Sequence, residues 1–204
     1  YEFVHGSINE RTLVNSLMAK ADYCIHVAAE THVDRSIEDA SVFVETNVLG
    51  TQVLLDAAKQ FGIEKFVLVS TDEVYGTLPL DSDEKFTENT PLNPTNPYSA
   101  TKAGADMLAM SYFKTHKLPL CITRCGNNYG PNQYPEKLIP LTIINALSGK
   151  NLPVYGYGTQ IRDWLYVEDH VQALYCVLKN GAVGSSYNIG GHNEKQNIEV
   201  VHTI

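Results

Sequence analysis

Apolar residues in this chain follow two alternating rhythms. Short, nearly continuous apolar runs rich in Val, Ile and Phe occur at Glu2 to His5, Tyr23 to Ala28, Lys65 to Ser70 and Leu120 to Cys125. Such runs predict strands covered on both faces, since a strand with one wet face would alternate apolar and polar residues. Between them apolar positions recur with helical spacing at about Glu10 to Ala21, Asp39 to Phe61 and Pro97 to His116. In the first helix Leu13, Val14, Leu17 and Met18 share one face. In the second, Val48, Leu49 and Val53 form an apolar stripe beside Gln52 and Asp56, and Gly62 is a natural stop. Pro97 suits the first turn of the third, where a missing N–H costs nothing. Strands and helices in alternation predict an α/β fold on a parallel sheet.

After Cys125 the rhythm changes. A loop rich in Gly, Asn and Pro (GNNYGPNQYPEK) leads to a helix containing Pro140, short strands near Leu152 to Tyr155 and Ile161 to Val167, and a helix at about Glu168 to Lys179. The expected domains are therefore 1–135 for the sheet and 136–204 for a partial smaller lobe, with segments of the lobe returning to the sheet domain. A long polar loop from Asp72 to Asn96 separates two core elements, and long loops at strand ends more often carry function than not.

Composition narrows the partners. A net charge of -8 argues against a nucleic-acid binder, which needs a basic surface to displace counterions. A small anionic ligand needs only local cations, for which Lys102, Lys137 and Arg162 are candidates. Cys24, Cys121, Cys125 and Cys176 lie in apolar runs without a C-x-x-C pair, as expected for buried, reduced thiols in a cytoplasmic protein. The longest apolar stretch, Leu138 to Leu147, is too short for a membrane span. No signal peptide precedes the first strand, and the missing initiator Met suggests a chain that begins inside a longer protein.

Four segments could carry chemistry. Tyr98 and Lys102 are four residues apart at a helix start and share a face, so the ammonium can favour the phenolate and make Tyr98 a base near neutral pH. The same pair would also suit an ordinary surface helix. Thr71, Asp72 and Glu73 end the run FVLVS, and ligands of open parallel sheets sit beyond such strand ends. In a continuing strand Asp72 would face away from the other two, so joint action requires the chain to turn here. Two adjacent carboxylates can divide into an acid and a base, or simply form a solvated or capping turn. Ala28 and Ala29 after the His26 run could admit a flat cofactor, or pack as core. Arg162 could hold a diphosphate bidentately, or pair with Asp163. No Cys, His and carboxylate cluster has metal-ligand spacing, so no metal is expected.

The segments HVAAETHVDRSI, ETNVLGT, VSTDEVYG, NPYSATKAGAD, NNYGPNQYPEKLIP, PVYGYGTQIRDWLYVEDH and YNIGGHNEKQNI occur in that order. In them the chain resembles the extended short-chain dehydrogenases/reductases, and within these the dTDP-glucose 4,6-dehydratases. The carboxylates in Thr71-Asp72-Glu73 discriminate most, because related epimerases and decarboxylases typically carry small or hydroxyl residues there.

The resemblance implies a Rossmann-type doubly wound sheet, an NAD cofactor, a nucleoside-diphosphate hexose substrate with dTDP-glucose favoured, and a homodimer. The dimer would use the helices Asp39 to Phe61 and Pro97 to His116, whose exposed faces are expected to include Leu108, Met110 and Tyr112. It also implies that Tyr98 takes the proton of the sugar 4-hydroxyl, Lys102 holds the nicotinamide ribose, Thr71 bonds the 4-oxygen, Glu73 removes the carbon-5 proton and Asp72 protonates the departing 6-hydroxyl. Ala28, Ala29, Glu30, Thr46 and Asn128 would line the NAD site. Thr31, Asn127, Lys137, Leu138, Pro153, Tyr155, Arg162 and Asn197 would line the nucleotide-sugar site. The chain departs from this family in two places. The glycine-rich phosphate turn of the first βα unit is missing, with at least one βαβ unit expected upstream, and Ser7 stands where the family has an adenine-contacting Asp. A 4-epimerase or decarboxylase of the same fold, or a non-catalytic dinucleotide-binding protein, are the alternatives.

Overall fold

The computed structural model describes residues 1–79 and 84–204. Residues 80–83, within the long loop expected from Asp72 to Asn96, lie outside the described residues. The chain divides into two compact units, one of Tyr1–Arg124 with Leu174–Asn188 and one of Cys125–Ala173 with Ile189–Ile204.

The strands are β1 (Tyr23–His26), β2 (Lys65–Thr71), β3 (Leu120–Cys125), β4 (Asn127–Tyr129), β5 (Ile161–Tyr166), β6 (Ser186–Ile189) and β7 (Glu194–Gln196). The helices are α1 (Arg11–Met18), α2 (Val33–Glu38), α3 (Ser41–Phe43), α4 (Thr51–Phe61), α5 (Pro97–His116), α6 (Leu138–Leu147), α7 (Val167–Asn180) and α8 (Asn197–Thr203). The fold is α/β and Rossmann-type: a four-stranded sheet in the order β1-β2-β3-β6, with β1 and β2 parallel and His26 opposite Leu68. The continuous apolar runs of β2 and β3 are buried almost throughout, as their pattern predicts. Phe66, Leu68, Leu120 and Ile122 form the core with Leu55, Ala58 and Ala105.

Helix ends follow local chemistry. Asn96 caps α5 through a reciprocal pair, Ser99 N–H donating to Asn96 Oδ1 at 2.8 Å and Asn96 N–H to Ser99 Oγ at 3.2 Å, with Pro97 in the first turn. Gly62 ends α4 at φ 65, where a side chain would be strained. Pro140 lies in the first turn of α6, so it removes no intrahelical bond.

Several expectations are corrected. Glu2 to His5 is not a strand. Apolar content favours a strand only where a neighbour supplies a ladder, and this exposed segment has none among the described residues. Leu152 to Tyr155 is irregular, because Pro153 offers no N–H and Gly156 and Gly158 turn the chain with positive φ. β1 is not covered on both faces, since Tyr23 and Ile25 are exposed at the end of the sheet order. Only Val14 and Met18 of the α1 stripe are buried, and Leu17 is exposed. The second long helix starts at Ser41, whose N–H Asp39 accepts at 2.8 Å, and passes through a π-helical stretch, Val44–Gly50, before α4. Leu108, Met110 and Tyr112 pack against the core of their own chain. Cys176 is exposed, whereas burial pushes the Cys24 thiol up to about 12.

In the second unit β5 pairs parallel with β4 and antiparallel with β7. The Asp163 carboxylate accepts the N–H groups of Gly191 and Asn193 at 2.7 and 2.9 Å and so fixes the turn before β7. No helix among the described residues is long and apolar enough to cross a membrane.

Candidate active site

The C-terminal end of β2 carries the acidic pair. Thr71 is the last strand residue, and Asp72–Tyr75 fold into a single 3₁₀ turn, so the chain does turn where joint action of the three residues requires. Thr71 caps this turn: its Oγ1 accepts the Glu73 N–H at 3.3 Å and donates to Asp72 Oδ1 at 3.3 Å. The capping reading of this tripeptide is thus real, and it leaves both carboxylates half-buried at the strand end. Asn96 Nδ2 reaches Glu73 Oε2 in a long contact of 3.5 Å, linking the cap of α5 to the turn.

Gly76 closes the turn at φ 92, and a Cβ there would clash with the Asn93 carbonyl oxygen. Gly76→Ala is therefore expected to destabilise the protein by about 2 kcal/mol, measured by thermal or denaturant unfolding.

The first two turns of α5 carry Tyr98 and Lys102, both buried, and the helix packs on β2 and the acidic turn. The surface-helix reading of these residues fails on burial alone. Lys102 Nζ donates to the Val69 carbonyl at 2.8 Å, which fixes the ammonium beneath the strand end. Tyr98 is held from its backbone: its N–H donates to Ser36 Oγ at 3.1 Å, and its carbonyl accepts Thr101 Oγ1 at 2.7 Å.

The loop after β1 is tied to the same helix. Asn47 bonds both backbone groups of Glu30, accepting its N–H at 2.9 Å and donating to its carbonyl at 3.0 Å, and also donates to Thr101 Oγ1 at 3.0 Å. Ala28 is exposed and Ala29 half-buried, so neither is core; they form a small-residue shelf at the strand end. Thr46 lies half-buried beside Asn47, and Thr31 is exposed.

His26 lies under this loop. Thr51 Oγ1 donates to the Asn47 carbonyl at 2.7 Å, so its contact with His26 Nε2 at 2.9 Å is one in which the imidazole N–H donates. Burial, then the Lys102 charge, pull the His26 pKa down to about 3. The unfolded chain protonates His26 near its ordinary value while the folded chain resists, so stability falls as pH drops from about 6.5 toward 3. The slope from this group reaches about 1.4 kcal/mol per pH unit. Acid unfolding of His26→Asn should be correspondingly shallower than that of the parent.

The remaining expected ligand residues lie in the second unit. Asn128 on β4 is engaged in structure: its Oδ1 meets His170 Nδ1 at 2.8 Å and its Nδ2 donates to Cys125 Sγ and the Gly126 carbonyl. Burial lowers the pKa of His170. Asn127 precedes it, half-buried. Lys137 stands just before α6 with its ammonium 4.0 Å from Glu136, and Leu138 is the first helical residue. Pro153 and Tyr155 are exposed. Arg162 Nη1 donates to its neighbour's carbonyl, while Asp163 serves the 191–193 turn described above. Asn197 opens α8, its N–H donating to the Gln160 carbonyl.

Sequence reasoning missed the residues that position the site, namely Asn47, Ser36, Asn96 and Thr101. Only Asn96 left a local sign, as a capping residue before Pro97.

A sequence profile of the family described as GDP-mannose 4,6 dehydratase matches residues 1–204. The chain is 55% identical over 204 residues to low-salt glycan biosynthesis protein Agl12 of Haloferax volcanii, covering all of this chain and 65% of that protein. It is 52% identical over 215 residues to a dTDP-glucose 4,6-dehydratase of Neisseria gonorrhoeae, covering all of this chain and 62% of that one. The chain thus spans somewhat under two thirds of the length of these curated relatives. Among solved structures, DesIV, a dTDP-glucose 4,6-dehydratase from Streptomyces venezuelae with NAD bound, superposes with a TM-score of 0.96 at 48% identity, over 99% of this chain and 62% of that chain.

Proposed function

Since the chain belongs to the GDP-mannose 4,6 dehydratase family, we propose that the protein is an NAD-dependent dehydratase converting dTDP-glucose to dTDP-4-keto-6-deoxyglucose. The observation that carries this reading is the acidic 3₁₀ turn, Asp72 and Glu73 together at the end of β2, against the helix bearing Tyr98 and Lys102. Oxidation at carbon 4 alone needs a base and a cation. Expelling water across carbons 5 and 6 needs a further base and acid, and the two carboxylates supply them.

The residues fit NAD on one structural ground: a shelf of small side chains, Ala28 and Ala29, on a loop whose backbone Asn47 fixes at Glu30. Ala28, Ala29, Glu30, Thr46, Tyr98 and Lys102 would hold it, with Asn128. When bound, NAD would supply a hydride acceptor for carbon 4 and a hydride donor for carbon 6.

Tyr98 takes the proton of the 4-hydroxyl, and Lys102, fixed by Val69, favours the phenolate and holds the ribose. Thr71 donates to the 4-oxygen, for which its proton must leave Asp72. Glu73 then removes the carbon-5 proton, acidic beside the new ketone, Asp72 delivers a proton to the departing 6-oxygen, and Glu73 gives its proton back to carbon 5 as hydride reaches carbon 6. Thr31 and Thr71 would contact the sugar, and Asn127, Lys137, Leu138, Pro153, Tyr155, Arg162 and Asn197 the nucleotide and its phosphates. A cytoplasmic setting suits the free thiols. Incubation of the complete protein with NAD and dTDP-glucose should give a product lighter by one water by mass spectrometry. An isomer of unchanged mass would instead establish an epimerase.

We also propose a homodimer, through a different face from that expected of Leu108, Met110 and Tyr112. Val44, Leu49 and Met107 leave exposed apolar surface along the Ser41–Phe61 helical run and α5. Sedimentation equilibrium at micromolar concentration should show a dimer, and a monomer alone would reject it.

A further inference from the structure

One guanidinium joins the two carriers of the catalytic groups. Arg124, near the end of β3, is buried; its Nε donates to Asp106 Oδ2 at 2.9 Å and its Nη1 to the Tyr75 hydroxyl at 2.8 Å. Asp106 lies on α5 one turn beyond Lys102 and two beyond Tyr98. Tyr75 is the last residue of the turn that holds Asp72 and Glu73. The Tyr75 hydroxyl has one proton, which it donates to Asn188 Oδ1 at 2.7 Å, so it must accept from Arg124. Its ring stacks on Phe86 at 5.1 Å and lies under the guanidinium at 5.0 Å. Buried ion pairs are poor sources of net stability, because desolvation offsets their attraction, but they do impose directional geometry. Here that geometry spans the helix of the oxidation base and the turn of the elimination pair.

We propose that Arg124 and Tyr75 are positioning residues, holding the Asp72–Tyr75 turn at a fixed setting against α5 so that the carboxylates can act on a sugar gripped by Tyr98. The proposal rests on the dehydratase reading for its chemical consequence, while the restraint itself can be measured without substrate.

Tyr75→Phe keeps the ring packing and removes only the hydroxyl. Arg124→Lys keeps the charge but lacks the planar fork that reaches two partners. Amide hydrogen exchange at Glu73 and Gly76 should accelerate by about 10-fold or more in both variants, with the α5 amides unchanged. In the complete protein with dTDP-glucose, formation of reduced nicotinamide should stay within about 2-fold of the parent. Loss of water should slow by about 10-fold or more, because a small misplacement of an acid–base group is enough. Asn188→Ala, which leaves the Arg124–Tyr75 bond in place, should show a weaker form of the same split, and it serves if the other variants fold poorly. Unchanged exchange in the turn overturns the proposal, as does equal slowing of oxidation and elimination. A parent that never releases water from dTDP-glucose, yet shows the exchange response, refutes the dehydratase reading and leaves the restraint standing.

Discussion

Tyr98→Phe should lower turnover of dTDP-glucose by about 1000-fold, within the range that a positioned acid–base group contributes. The substitution removes one oxygen and little else. Its ring stays in a buried site, and Ser36 and Thr101 bond its backbone. Unfolding stability should change by about 1 kcal/mol, the usual scale of one hydrogen bond. The defect should be confined to chemistry and should come first in sequence. Stopped-flow absorbance in the reduced-nicotinamide band should stay flat, and no deuterium should enter carbon 5 from heavy water, since that proton becomes acidic only beside a ketone. Turnover at the parent rate would remove Tyr98 as the base and with it the oxidative opening of the reaction.

Glu73→Gln and Asp72→Asn should fail later. Both leave Tyr98 and Lys102 in place, so reduced nicotinamide should form and persist while water loss slows by about 100-fold or more. The two variants should differ from each other at carbon 5. Exchange with heavy water should collapse in Glu73→Gln, which lacks the base, and survive better in Asp72→Asn, which lacks only the acid for the leaving oxygen. Asp72→Asn also alters the partner of the Thr71 hydroxyl, so some weakening of substrate binding is expected there alone. If both variants release product at the parent rate, the carboxylates are turn residues and the epimerase reading takes their place.

Much of the sheet was readable because burial on both faces leaves a nearly continuous apolar run, as in Phe66 to Val69 and Leu120 to Ile122. α5 was readable to the residue because Pro97 and the helical spacing agree. The failures have a common cause. β4, β6 and β7 are three or four residues long and polar, and pairing rather than composition makes them strands. Glu2 to His5 has the composition without the partner. The proposed catalytic residues stood out as types, a Tyr and a Lys one turn apart and a pair of carboxylates. The groups that hold them did not, because Ser36 meets Tyr98 across 62 positions, Asn96 meets Glu73 across 23, and Asn47 acts through Thr101, 54 positions away. Nothing in a local window marks a residue whose role is defined by a distant partner.

The π-helical stretch makes chain length itself a constraint. Each π turn takes up residues beyond the α repeat, and a π segment inside an α-helix has the form of an insertion that was kept. Deleting one residue between 44 and 50 would let the ladder relax to an α repeat, keeping Phe43 and Val53 in phase with each other while the turns between them, Asn47 included, shift. Asn47 could then no longer face Glu30 and Thr101 while Phe43 and Val53 both stayed in the core. Single-residue deletions there should thus be far more damaging than most substitutions on the same helix, and the segment should resist shortening in any working homologue.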